Sequence, residues 1–163
     1  MMQKEDFVFF WKKSEPFGFM SQWYAAPFEV NKIRYESCEA FMMHQKAVLM
    51  GDHTIARVIL QTKSQAEIKA LGRKVRNFDA KLWDEKKYEV VLEGNVAKFM
   101  AHKDLADKLL ATGDKILVEA SPTDQIYGIG LNASDPRALD QTQWRGENLL
   151  GKVLMAVRVR LRA

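Results

Sequence analysis

Two residues of opposite charge, Glu39 and Lys46, fall where helical spacing surrounds them with methionines. The segment from Ser37 to Met50 reads as a helix, with Ser37 as its N-cap and Gly51 as its stop. Turning by about 100° per residue from Glu39, Met43 lies at ~40°, Met50 at ~20°, Lys46 at ~340° and Met42 at ~300°. A carboxylate and an amine therefore share one apolar face. Such groups are costly there unless they are paired or used. Their Cα atoms lie two turns apart, about 10.5 Å, and Lys46 leans toward Glu39, which leaves room for a small ligand between them.

The chemistry available to this pair follows from its setting. Desolvation lowers the pKa of a lysine and makes it a nucleophile. Glu39 sits in the first turn, where the helix dipole favours the ionised form and burial opposes it. Periodicity alone admits a plain alternative, a structural ion pair or two snorkelling side chains.

Other candidates are weaker. His44, His53 and His102 have no metal-ligand spacing with one another or with Cys38; all three read as surface residues, and no zinc site is expected. Ser21 lacks the G-x-S-x-G context of a hydrolase nucleophile. Gly128-Ile129-Gly130 is a lone G-x-G without a third glycine or a following helix. The tryptophans Trp11, Trp23, Trp83 and Trp144 serve either as core or as rings that stack on a base.

The elements that must position these residues can be read along the chain. Phe7 to Trp11 is a short strand, and Phe28 to Arg34 a second. Phe41 and Val48 lie opposite the methionine face, so the Ser37–Met50 helix is expected to be covered on both sides. Asp52 caps a helix through Leu60, and Ser64-Gln65-Ala66-Glu67 is a capping box opening a helix toward Arg73. Asp79 precedes the longest helical pattern, carried by Leu82, Tyr88, Val91, Leu92, Val96, Phe99 and Met100. Leu105, Leu109 and Leu110 mark another helix ending near Gly113, and Ile116 to Val118 a buried strand. Asn148 caps a last helix. Its end, Val157 to Arg162, alternates like a strand, but the 3.6-residue period from Leu150 favours helix, with its three arginines in solvent. The fold class is α+β: a mostly helical single domain over residues 1–163 with a small β-sheet.

Bulk properties set outer limits. The chain has 163 residues, 47% hydrophobic and 28% charged, which suits one globular domain. A net charge of +4 suits an anionic small molecule without requiring nucleic acid. One cysteine, Cys38, excludes an intrachain disulfide and fits a reducing compartment. The apolar run Phe7 to Phe10 is too short for a signal peptide, and no run approaches the ~20 residues of a membrane span. A soluble, cytoplasmic protein is expected.

Several segments together resemble one family. They are Pro16-Phe17-Gly18-Phe19-Met20-Ser21-Gln22-Trp23, Ser37-Cys38-Glu39-Ala40-Phe41 with Gln45-Lys46-Ala47, Leu71-Gly72-Arg73, Leu82-Trp83 and Lys98-Phe99. Further on come Leu117-Val118-Glu119-Ala120-Ser121-Pro122-Thr123-Asp124, Tyr127-Gly128-Ile129-Gly130 and Trp144-Arg145-Gly146-Glu147-Asn148-Leu149-Leu150-Gly151. In order and spacing this set resembles the YbiA-like, or NADAR, proteins from about Phe9 to Leu161.

The resemblance implies a mostly helical α+β domain and N-glycosidase activity without metal or cofactor. Characterised members act on phosphoribosylamino-pyrimidine intermediates of riboflavin synthesis or remove ADP-ribose from guanine. It implies Glu39 as the essential S-x-E glutamate and Lys46 as the Q-K lysine proposed to form a Schiff base with the opened ribose. Trp83 and Asp124 match two further residues implicated in activity. On that basis Glu39, Lys46 and Asp124 are the expected catalytic residues. Trp83, Tyr127, Ser21, Arg73, Gly130 and Asn148 are the expected substrate contacts. Trp83 and Tyr127 would stack on the base, and Arg73 and the helix start after Asn148 would bind phosphate. Gln22 stands where the family usually has Asn, and Tyr127 where it often has Trp; altered specificity is the expected result.

The expected partner is a phosphoribosyl or ADP-ribosyl small molecule, or ADP-ribosylated guanine in nucleic acid, with no membrane. The sequence leaves the oligomeric state open. The rival readings are a non-catalytic module that binds NAD or ADP-ribose and a basic nucleic-acid-binding domain. Dispersal of Lys and Arg among acidic residues argues against the latter.

Overall fold

The structure is a computed structural model that describes residues 2–163. The chain packs as two compact units, one formed by the chain up to Tyr24 together with Lys103–Ala163, the other by Ala25–His102.

The middle unit begins with an antiparallel hairpin whose strands are β2 (Phe28–Val30) and β3 (Ile33–Tyr35), with Phe28 opposite Tyr35. The single strand expected over 28–34 is thus broken. Asn31 and Lys32 take φ values of 51° and 66°, and two consecutive left-handed residues reverse the chain as a two-residue hairpin loop requires.

Four helices follow: α1 (Cys38–Leu49), α2 (His53–Gln61), α3 (Gln65–Arg73) and α4 (Ala80–Ala101). Each starts where the sequence places a cap. Ser37 Oγ accepts from the Ala40 N–H at 3.2 Å, Asp52 from Ile55 at 3.2 Å, Ser64 from Glu67 at 3.3 Å and Asp79 from Leu82 at 3.1 Å. Gly51, at φ 78°, ends the turn after α1.

Helix α1 packs against α2, α3 and α4. Its Ala40 and Ala47 join Ile59, Ile68 and Val75 in one core cluster, with Met43 and Met50 packed against it. On the other side Phe41 is fully buried, meeting Tyr35 edge to face at 5.0 Å. Gly94 of α4 provides the notch, since a Cβ there would sit 2.7 Å from the Phe41 ring. Val48, expected to be covered with Phe41, is 39% exposed. The apolar pattern of α4 also misleads in part. Tyr88 and Met100 lie in solvent, whereas Asn95 and Lys98 are buried.

In the other unit β1 (Phe7–Phe10) pairs in parallel with β4 (Ile116–Glu119), Phe7 opposite Ile116 and Phe10 opposite Glu119. Helices α5 (Lys103–Leu110) and α6 (Leu149–Arg162) pack on each other, and α6 also packs on β4. The core holds Phe7, Val118, Ile129, Leu131 and Ala138. Trp144 packs against it and donates its indole N–H to the Ala138 carbonyl at 2.8 Å.

Helix α6 runs to Arg162, as the longer period predicted, but its arginines are not all solvated. Arg158 is buried and donates to the Thr112 hydroxyl and the Lys115 carbonyl, each at 2.8 Å. The turn after α5 needs those bonds, which is why a charge is tolerated there. Among the described residues, no helix is long and apolar enough to cross a membrane.

Candidate functional site

Helix α1 carries the two groups singled out by spacing. Glu39, in the first turn, is buried at 4% exposure. Lys46, two turns on, is half-buried. Burial lowers the pKa of Lys46; Glu39 opposes this, and Arg73 at the end of α3 adds to it. The amine therefore loses its proton more readily than an ordinary lysine. Its Nζ lies 4.7 Å from the centre of the Phe78 ring, a cation–π distance.

Cys38 and Lys98 are buried as well. Cys38 is 1% exposed, and burial pushes its thiol up to about 11, with Lys98 pulling the other way. Lys98, on α4, is fully buried and its pKa is lowered by burial, partly offset by Cys38. Such a thiol is inert as a nucleophile at neutral pH.

His44 corrects the surface reading. It is buried, and its Nδ1 lies 3.0 Å from the Tyr35 hydroxyl, because β3 covers this side of α1. His102 is half-buried with its Nε2 2.7 Å from the Pro27 carbonyl oxygen; only His53 is exposed. Trp83, in the first turn of α4, is 7% exposed.

The remaining predicted residues belong to the other unit. Asp124 organises the loop after β4. Its Oδ1 accepts from the N–H groups of Ile126 and Tyr127, both at 2.9 Å, and its own N–H donates to Ser121 Oγ at 3.1 Å. Gly130, at φ 70°, donates its N–H to the Asp124 carbonyl at 3.1 Å. Asp124, Tyr127 and Gly130 thus form one tight loop. Ser21 is buried, and its Oγ accepts from the Trp23 N–H at 3.2 Å.

Asn148 departs from expectation. It takes φ 54° and makes no side-chain cap; instead its amide donates to the Leu117 carbonyl at 2.9 Å and accepts from the Glu119 N–H at 3.0 Å. It fastens α6 to β4. The N–H groups of Asn148, Leu149 and Leu150 donate to the carbonyls of Gly128, Ile126 and Tyr127, each at 3.1 Å. Those three N–H groups, which an anion bound at this helix start would draw on, are taken up within the chain.

One residue of note escaped the sequence reading: Phe78 sits in a loop and follows no period. Lys98, which the sequence offers only within the Lys98-Phe99 motif, is removed from water by packing. No cluster of three or more His, Cys, Asp and Glu suited to a metal ion occurs among the described residues.

The family profile described as the NADAR domain matches residues 9–162. The chain belongs to the NADAR domain family. N-glycosidase R617 of Acanthamoeba polyphaga mimivirus is 42% identical over 96% of this NADAR chain and 97% of that protein. N-glycosidase Npun_R5314 of Nostoc punctiforme is 32% identical, over 95% of this chain and 92% of its own. The NMR structure of the E. coli protein YbiA superposes with a TM-score of 0.80 at 26% identity, covering 98% of this chain and 87% of that one. The NADAR chain is an N-glycosidase with a helix-rich α+β fold, and it hydrolyses N-glycosyl compounds.

Proposed function

We propose that this N-glycosidase acts through Glu39 and Lys46 on a ribosyl substrate whose C1 carries a nitrogen base. The observation that supports this is the pairing of a buried carboxylate with an amine whose proton affinity burial has lowered. An amine in that state adds to an electrophilic carbon.

The base nitrogen of the substrate expels the ring oxygen, so that C1–O breaks, a cationic C1=N forms and the oxygen takes a proton from solvent. Neutral Lys46 adds its Nζ to C1. Glu39 carries the proton from Nζ to the base nitrogen, the bond from C1 to the base breaks, and Lys46 remains bonded to C1 as an imine. Water then adds to the protonated imine at C1 and releases the phosphoribose or ADP-ribose, the lysine amine and the proton taken up at ring opening. One water is consumed per turnover.

Residues 1–163 are read as a single NADAR domain. Asp124 is assigned to the ribose hydroxyls, Trp83 and Tyr127 to the base, and Arg73 to a substrate phosphate. Ser21 and Gly130 are further substrate contacts. The substrate is a phosphoribosylamino-pyrimidine of riboflavin synthesis or ADP-ribosylated guanine. Assaying the purified protein on both, with borohydride present, tests substrate and mechanism together. A reduced ribosyl adduct on Lys46 is the expected product. Base release with no adduct under any trapping condition would eliminate the imine.

A further inference from the structure

We propose that Phe78 is a positioning residue for Lys46, its ring held out on a pinned loop so that it fixes the ammonium at one place beside α1. This rests on the assignment of Lys46 to the chemistry.

Phe78 is 45% exposed, although it is a large apolar side chain. Its ring nevertheless contacts the Lys46 ammonium at 4.7 Å. A loose loop could not keep that contact, and this loop is not loose. On one side Val75 is buried in the α1–α2–α3 core, and the Arg76 N–H donates to Asp52 Oδ2 at 2.9 Å. The same buried Asp52 holds the Arg76 guanidinium at 3.6 Å and caps α2. On the other side Asp79 caps α4 and its N–H reaches Met50 Sδ at 3.2 Å. Between these anchors Asn77 takes φ 57°, the left-handed turn that delivers Phe78.

The charged groups acting on the amine are Glu39 on α1 itself and Arg73 on α3. In the loop and at the head of α2, Arg76 and Asp52 offset one another. The aromatic face is the remaining contact, and it favours the protonated amine. Phe78 thus opposes burial and Arg73, and it restricts where the nitrogen waits before it attacks.

The test uses the full chain labelled with 13C-lysine, the Lys46 ε-methylene being assigned by Lys46→Arg. In the parent this methylene is shifted upfield of the other lysines by the ring current. Phe78→Leu keeps an apolar group but removes the ring, so the upfield shift is lost and the Lys46 midpoint falls by about half a pH unit. Phe78→Tyr restores both. The acid limb of the kcat profile moves with the midpoint in each variant. A parent methylene without the upfield shift, or a Phe78→Leu protein that titrates with the parent, overturns the proposal. Turnover of Lys46→Gln is measured separately. It judges the role of Lys46 in chemistry, while the ring-current shift judges Phe78.

Discussion

Glu39 and Lys46, two turns apart on α1, are coupled through their charges: the carboxylate favours the protonated amine, against burial and against Arg73. The helix thereby holds an acid and a base whose states depend on each other, which is what a proton-transfer step between them needs.

Removing one member should therefore stop the reaction without unfolding the chain. Glu39→Gln keeps the size of a buried side chain and deletes its charge. We expect kcat to fall by about 10² or more, as for loss of a catalytic acid–base group, with the thermal midpoint close to that of the parent. Steady-state kinetics with circular dichroism checks both halves, and a variant that turns over like the parent would remove Glu39 from the mechanism.

The pH dependence of adduct formation carries the signature of Lys46. Its pKa is lowered from 10.5, so the reactive neutral amine appears at lower pH than in a free lysine. Arg73 contributes to that lowering, so Arg73→Gln should move the half-maximal trapping rate to higher pH. Borohydride trapping across a pH series measures it. A shift to lower pH would contradict the charge assignment.

His44 predicts a loss of stability in acid. Burial lowers its pKa below the ordinary 6.5, so the unfolded chain binds a proton before the folded one does. Stability is then constant above about pH 6.5 from this source and declines as pH drops toward the folded pKa. Urea midpoints between neutral and mildly acid pH should show this decline in the parent and less of it in His44→Gln.

Asn148 predicts a loss of stability. Asn148→Ala leaves the Leu117 carbonyl and the Glu119 N–H unmet and places an alanine at φ 54°. At about 1–3 kcal/mol for each of the two orphaned groups, plus about 1 for the backbone, the loss is about 3–7 kcal/mol. Gly151→Ala should be similarly harmful, since its Cβ would collide with the Leu117 carbonyl. Urea denaturation measures both, and Asn148→Asp, which keeps the acceptor for Glu119, should fall between parent and Asn148→Ala.

Local signals carried far in this chain because its helices begin at residues whose side chains do the capping. Ser37, Asp52, Ser64 and Asp79 each accept the N–H that their position promised, and the 3.6-residue period placed Glu39 and Lys46 on one face of α1. The ordered motifs marked the family, and its profile matches nearly the whole chain. What depends on contacts between distant segments was not readable. The parallel pairing of β1 with β4 joins strands from opposite ends of the chain, and no neighbouring residues encode it. His44 looked polar and solvated until β3 enclosed it, and the burial of Lys98 follows from packing that no period in α4 announces. Asn148 looked like a cap, yet it binds β4 instead, because the loop carbonyls already satisfy the head of α6. Phe78 meets Lys46 from a loop whose Arg76 N–H is held by Asp52, a contact between segments distant in sequence. Sequence determines which residues can do chemistry and on which local face they lie. Tertiary structure decides which of them keep their water, because burial is a property of everything packed around a side chain and not of its neighbours along the chain.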